Sequence, residues 1–122
     1  FFEGIDYLLP VPLFSSRLRQ RGYNQSELLA RGISRVTGIP LCTDAVVRSR
    51  NNATQTHKSG YARWQNVDRL FLSTPHAANL HDKHILLVDD VLTTGATLVA
   101  CADALLGVEN IKISVLTLAW AR

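Results

Sequence analysis

Residues Ile85 to Thr97 read ILLVDDVLTTGAT: an apolar run, two carboxylates, two more apolar residues and then threonines around a glycine. An uninterrupted branched stretch such as Ile85–Val88 predicts a central parallel strand covered on both faces, because a strand with one solvated face would alternate instead. After the acidic pair, Thr93 or Thr94 is expected to cap a helix in which Leu98, Cys101, Ala102 and Leu105 fall at i, i+3, i+4 and i+7. Gly107 is expected to end that helix, and Lys112–Leu118 (KISVLTL) to form a last strand.

Upstream, Tyr7–Val11 reads as a short apolar strand ending at the Pro10/Pro12 pair, and Phe14–Asn24 as a polar loop carrying Arg17, Arg19 and Arg21. From about Gln25 the pattern turns helical, with Leu28, Leu29, Ile33 and Val36 on one broad face until Gly38 and Pro40 stop it. Leu41–Arg48 predicts a second strand, Ser49–Gly60 a polar surface loop or flap, Arg63–Val67 a helical turn, Leu70–Leu72 a strand and Thr74–Lys83 an irregular connection. Strands alternating with helices imply an α/β fold, a mainly parallel central sheet flanked by helices, with ligands beyond the carboxyl ends of its strands. The acidic and threonine-rich turn falls at that place.

Length and composition set outer bounds. A chain of 122 residues, 47% hydrophobic and 19% charged, fits one domain (1–122) with a core of its own. No apolar run approaches the ~20 residues that cross a bilayer, so no membrane insertion is expected. Cys42 and Cys101 lie far apart with no CxxC spacing, which predicts neither a disulfide framework nor a zinc site and favours a reduced, cytoplasmic setting. The chain opens at Phe1 and holds no Met, so it is expected to be part of a longer protein. Its net charge of +3, carried mostly by Arg, suits an anionic ligand and permits weak, salt-dependent attraction to nucleic acid.

The chemistry concentrates in the same stretch. Backbone N–H groups at a helix start, with the positive end of the helix dipole, form an anion site, and threonine hydroxyls add donors there. Gly95 lets the backbone approach phosphate oxygens and take a positive φ if the turn needs one. Two carboxylates beside a phosphate would repel it unless hydroxyls or a cation lie between. Ribose supplies vicinal hydroxyls, and Mg²⁺ prefers carboxylate and substrate oxygens. Hydroxyls at one end and phosphate at the other describe a ribose 5-phosphate.

Other readings weaken on inspection. An acidic pair after an apolar strand also opens response-regulator receiver domains, but these need far more chain than the one helix and one strand that follow here. Neither GxxxxGK[ST] nor GxGxxG occurs. His57, His76, His81 and His84 lack metal-ligand spacing and read as exposed-loop residues. Tyr23, Tyr61 and Trp64 are scattered rather than lined up for base stacking.

ILLVDDVLTTGAT resembles the phosphoribosyl-pyrophosphate motif of type I phosphoribosyltransferases. Together with VPLFSSRLRQRGYNQSELLA (Val11–Ala30) and TQTHKSGYARWQNV (Thr54–Val67), it resembles more narrowly the ComF/GntX branch, associated with competence and DNA utilisation. The resemblance implies a type I phosphoribosyltransferase-like fold in which Asp89 and Asp90 meet the ribose 2′- and 3′-hydroxyls, with Mg²⁺ contact and a catalytic part. It implies that Thr93, Thr94, Gly95, Ala96 and Thr97 hold the 5-phosphate. The loop bearing Arg17, Arg19 and Arg21 would receive pyrophosphate, and Ser49–Gly60 would act as a hood, with Lys58 in it and Arg63 just beyond it as the flexible-loop candidates.

Members of that branch usually carry an N-terminal cysteine-rich zinc segment, which this stretch lacks, so no zinc is expected in it. The implied activity is that of a transferase in nucleoside metabolism, displacing pyrophosphate from phosphoribosyl pyrophosphate at ribose C1. The alternative is a non-enzymatic ribose-phosphate module in DNA uptake, acting through competence proteins or single-stranded DNA. Members of this fold often pair, so a homodimer is also expected.

Overall fold

The computed structural model describes residues 2–12, 24–48, 70–92 and 95–120. Strand β1 is Tyr7–Pro10, helix α1 Gln25–Thr37, β2 Val46–Arg48, β3 Phe71–Ser73, β4 His84–Leu92, helix α2 Ala96–Asp103 and β5 Lys112–Trp120, with a 3-10 helix at Pro75–Leu80. The central sheet has the order β1-β4-β5 and is parallel throughout. Its registers run from Tyr7↔Ile85 to Pro10↔Val88 on one side of β4 and from His84↔Lys112 to Leu92↔Trp120 on the other.

Side chains alternate along a strand, so β4 feeds two cores at once. Ile85 and Leu87 join Leu9, Leu98, Cys101 and Leu105 on the α2 side, whereas Leu86 and Val88 join Leu8 and Ala30 on the α1 side. All four β4 residues are fully buried. Covering each is worth about 1.5–3 kcal/mol, which is why an apolar run with no polar alternation is stable here. The α/β class and the central parallel strand are as the sequence implies.

Four details differ. First, the buried face of α1 is formed by Ser26 and Ala30, with Leu29 and Ile33 packed beside them, while Leu28 and Val36 are 54% and 86% exposed. Second, Leu41–Arg48 is not one strand: Leu41 makes a single bridge to Leu8, and only Val46–Arg48 is extended. That short strand pairs antiparallel with β3 in a separate two-stranded sheet, Val46↔Ser73 to Arg48↔Phe71. Third, the expected irregular connection after Thr74 contains the 3-10 helix, started by Thr74 as N-cap and Pro75 in its first turn. Fourth, α2 ends at Asp103, before Gly107, and continues only as turns.

Among the described residues no helix is long and apolar enough to cross a membrane. The expected helical turn at 63–67 and the hood at 49–60 lie outside the described residues.

Candidate functional site at the tip of the central strand

Asp89 and Asp90 do not follow the buried strand but belong to it. Strand β4 continues through both to Leu92, with Asp89 in register with Thr117 of β5. They are half-buried and stand at the carboxyl end of the sheet, where β1 has already stopped: Val11 N donates to Val88 O at 2.9 Å, and β1 pairs no further. The carboxyl end of the strands is the usual place for a ligand in an open α/β sheet.

Helix α1 begins beside this end. Asn24 is its N-cap, with Oδ1 accepting from Ser26 N at 3.0 Å and from Glu27 N at 3.4 Å. The same side chain turns its Nδ2 to Val11 O at 3.2 Å, tying the helix start to the end of β1. Ser26 Oγ then donates to Asp89 Oδ1 at 2.9 Å, and Asp90 N donates to the same oxygen at 3.0 Å. A continuous line of hydrogen bonds therefore joins the ends of β1 and β4 through the first turn of α1.

Burial pushes the Asp89 carboxyl above its usual range, and the neighbouring Asp90 charge adds to the rise, while the Ser26 hydroxyl and the Asp90 amide oppose it. Its charge reaches down to Cys101, whose thiol burial and Asp89 together push up to about 12. Burial likewise raises the Cys42 thiol. Both cysteines are free and buried, so neither has the lowered pKa that makes a nucleophile.

At the other helix mouth the capping position falls to Gly95 rather than to Thr93 or Thr94. Because β4 runs on to Leu92, the turn comes later than the motif's polarity implies. Gly95 has φ 83° and ψ −5°, and its carbonyl accepts from Val99 N at 2.9 Å to start the helix. Ala96 is exposed and Thr97 half-buried on the first turn of α2.

The described site thus contains Asp89, Asp90, Gly95, Ala96 and Thr97. Thr93, Thr94, Arg17, Arg19, Arg21, Lys58 and Arg63 lie outside the described residues, as do His57, Tyr23, Tyr61 and Trp64. Val11 and Asn24, which flank the segment bearing the three loop arginines, nevertheless meet at the tip. His76 and His81 are exposed beside Asp44 and Asp82, but His84 is not a loop residue. It opens β4, half-buried, with Nε2 2.7 Å from Ser114 Oγ.

Asn24 and Ser26 are site-building residues that pattern reading passes over. Asn24 carried a signal, an Asn ahead of an apolar helical pattern, which is a common N-cap. Ser26 carried none, because a serine among helix residues scores as solvent-facing.

Two adjoining grooves, about 610 Å³ and 470 Å³, share Ser73, Ala104 and Gly107 near β3 and the end of α2. Neither is lined by Asp89 or Asp90. Among the described residues no group of three or more His, Cys, Asp or Glu side chains could cage a metal. The Asp89–Asp90 pair fits a hard cation that completes its shell with ligand oxygens and water.

The family model for the phosphoribosyl transferase domain matches residues 23–121, which include α1, the acidic pair and the whole α2 mouth. The chain is 38% identical over 108 residues to competence protein F of Haemophilus influenzae, covering 87% of this chain and 47% of that protein. It is 38% identical over 102 residues to DNA utilization protein YhgH of Escherichia coli K12, covering 83% and 43%. It is 35% identical over 99 residues to competence protein ComFC of Bacillus subtilis, covering 81% and 38%. The chain spans less than half the length of these curated relatives. With β4, its acidic pair and the left-handed glycine inside the matched residues, the chain belongs to the phosphoribosyl transferase domain family, in the ComF branch whose members these relatives are.

Proposed function

We propose that the tip of β4 and the mouth of α2 bind the ribose 5-phosphate part of phosphoribosyl pyrophosphate with Mg²⁺, and that the domain transfers the phosphoribosyl group to an acceptor. One observation carries this reading. A pair of half-buried carboxylates stands near the carboxyl end of the central parallel strand, which runs on to Leu92, ahead of a helix opened by a left-handed glycine. Carboxylates accept hydrogen bonds from vicinal hydroxyls, and a helix mouth takes a phosphate, so the two ends of one sugar phosphate are matched in order.

In the reaction, an acceptor's electron pair forms a bond to ribose C1 as the C1–O bond breaks and pyrophosphate leaves with that bond's electrons. Asp89 and Asp90 hold the sugar hydroxyls and stabilise positive charge developing on the ring. Asp89 and Asp90 would hold Mg²⁺ together with substrate oxygens, and when bound it offsets charge on the departing pyrophosphate. Thr93, Thr94, Gly95, Ala96 and Thr97 take the 5-phosphate. Arg17, Arg19 and Arg21 receive the pyrophosphate, a role supported by the meeting of Val11 and Asn24 at the tip. Lys58 and Arg63 belong to the segment that would exclude water.

The test is calorimetric titration of phosphoribosyl pyrophosphate with Mg²⁺ into the wild-type chain and into an Asp89→Asn, Asp90→Asn double variant. Binding by the wild type and its loss in the variant are expected, and equal affinity in the two removes the assignment. Pyrophosphate release against a panel of bases and amines then reads transfer.

A second reading is favoured by the names of the relatives, which speak of competence and DNA utilization. Here the same pocket serves a non-enzymatic module acting on single-stranded DNA or through competence proteins. DNA affinity that falls steeply with salt, with no pyrophosphate release on any acceptor, distinguishes it from an enzyme.

A further inference from the structure

We propose that Ser26 is a positioning residue for the site: its hydroxyl, 2.9 Å from Asp89 Oδ1, fixes the carboxylate that meets the sugar. The inference rests on the ribose-binding reading of Asp89 given above. Among the described residues, Ser26 is the polar residue found buried, at 4% exposure. A buried hydroxyl is costly unless it is bonded, and the partner it finds lies 63 residues away in sequence on the central strand. Helix docking alone does not call for that partner, because Ala30, one turn on, packs against Leu8, Leu86 and Val88 with no polar group at all.

The geometry clamps one oxygen from two sides. Ser26 Oγ and Asp90 N both donate to Oδ1, so the Asp89 carboxylate cannot rotate without giving up both bonds. Ser26 is itself held, since its backbone N–H donates to Asn24 Oδ1 while Asn24 Nδ2 donates to Val11 O. The carboxylate's orientation is thereby referred to the end of β1 as well as to its own strand. One hydrogen-bond line therefore runs from the end of β1 through the start of α1 to the acidic tip of β4.

The experiment compares wild type with Ser26→Ala, Ser26→Thr and Ser26→Cys in the whole chain, each shown to be folded by circular dichroism. Cys is nearly isosteric but a weak donor, so it serves if Ala perturbs the fold. Two readouts are taken. One is the chemical shift of the Asp90 backbone amide, which donates to the same carboxylate oxygen, by NMR at fixed pH without ligand, and the other is affinity for phosphoribosyl pyrophosphate with Mg²⁺ at the same pH.

For Ser26→Ala and Ser26→Cys the amide resonance moves and affinity falls about tenfold, as expected for loss of a hydrogen bond to a charged group. Ser26→Thr keeps the hydroxyl and restores both to near wild type. An unmoved resonance in a folded Ser26→Ala or Ser26→Cys chain that binds like wild type overturns the clamp and leaves the ligand reading standing. A resonance that moves in Ser26→Ala and returns in Ser26→Thr, in chains none of which binds the ligand, supports the clamp and sinks only the ligand reading.

Discussion

Gly95 holds φ 83° at the position from which α2 begins, after β4 has ended at Leu92. A residue with a Cβ reaches that left-handed region at a cost of roughly 1–2 kcal/mol. Gly95→Ala is therefore expected to lower the melting temperature by about 4–8 °C, read by thermal unfolding. On the proposed binding mode it should also weaken phosphoribosyl pyrophosphate binding, since the added methyl would stand where phosphate oxygens would approach the backbone. A melting temperature equal to wild type would mean that the turn relaxes and that no strain is held there. The glycine's freedom is legible in the sequence because threonines flank it after a strand. Its exact place is not, since the threonines look like better caps than a glycine does.

At the scale of elements, α1 shows where pattern reading stops. Leu28 and Val36 carry the apolar signal but face solvent, and the inward face is Ser26, Leu29, Ala30 and Ile33. Hydrophobicity counts large apolar side chains, whereas this face is chosen by a small residue that lets the helix lie close to Leu8, Leu86 and Val88 and by a serine drawn to a carboxylate. Strand β4, by contrast, was plain from Ile85–Val88 because both of its faces are covered by helices. Strands β2 and β3 are three residues each, and their pairing joins segments far apart in sequence, so no local pattern announces their small antiparallel sheet.

The start of α1 gives the element-scale prediction. Asn24→Ala removes the cap and the tie to Val11 together and should cost about 1–2 kcal/mol, seen as a lower urea midpoint at unchanged slope. Asn24→Asp keeps the capping acceptor but loses the donor to Val11 O, so it should recover only part of that stability. Full recovery by Asp would show that the bond to Val11 contributes nothing.

Over the whole molecule, the acidic tip sets stability against function. Burial raises the Asp89 pKa in the folded chain above its value of 3.8 in the unfolded one, so the folded state binds the proton more tightly. Stability from this group is then fully present below pH 3.8 and is lost as pH rises through the higher folded value. Asp82 has the opposite sign: its carboxyl is held below the ordinary value by Asn110 and His81, so its contribution is lost only as pH falls. The two act in different pH ranges and can be separated by substitution.

Asp89→Asn keeps an acceptor for Ser26 and the Asp90 amide but removes the half-buried charge. The variant should match wild type near pH 4 and melt higher by on the order of a few degrees at pH 7. Scanning calorimetry from about pH 4 to pH 8 reads the difference between the two proteins, in which Asp82 and the other carboxyls cancel. If the Asn variant melted lower than wild type at neutral pH, the ionised carboxylate would be stabilising the fold, and its place at the tip would need no ligand to explain it. If it melts higher while losing affinity for phosphoribosyl pyrophosphate, the chain retains a carboxylate that its fold resists. A group kept against the stability of its own domain is one whose use lies in what it binds.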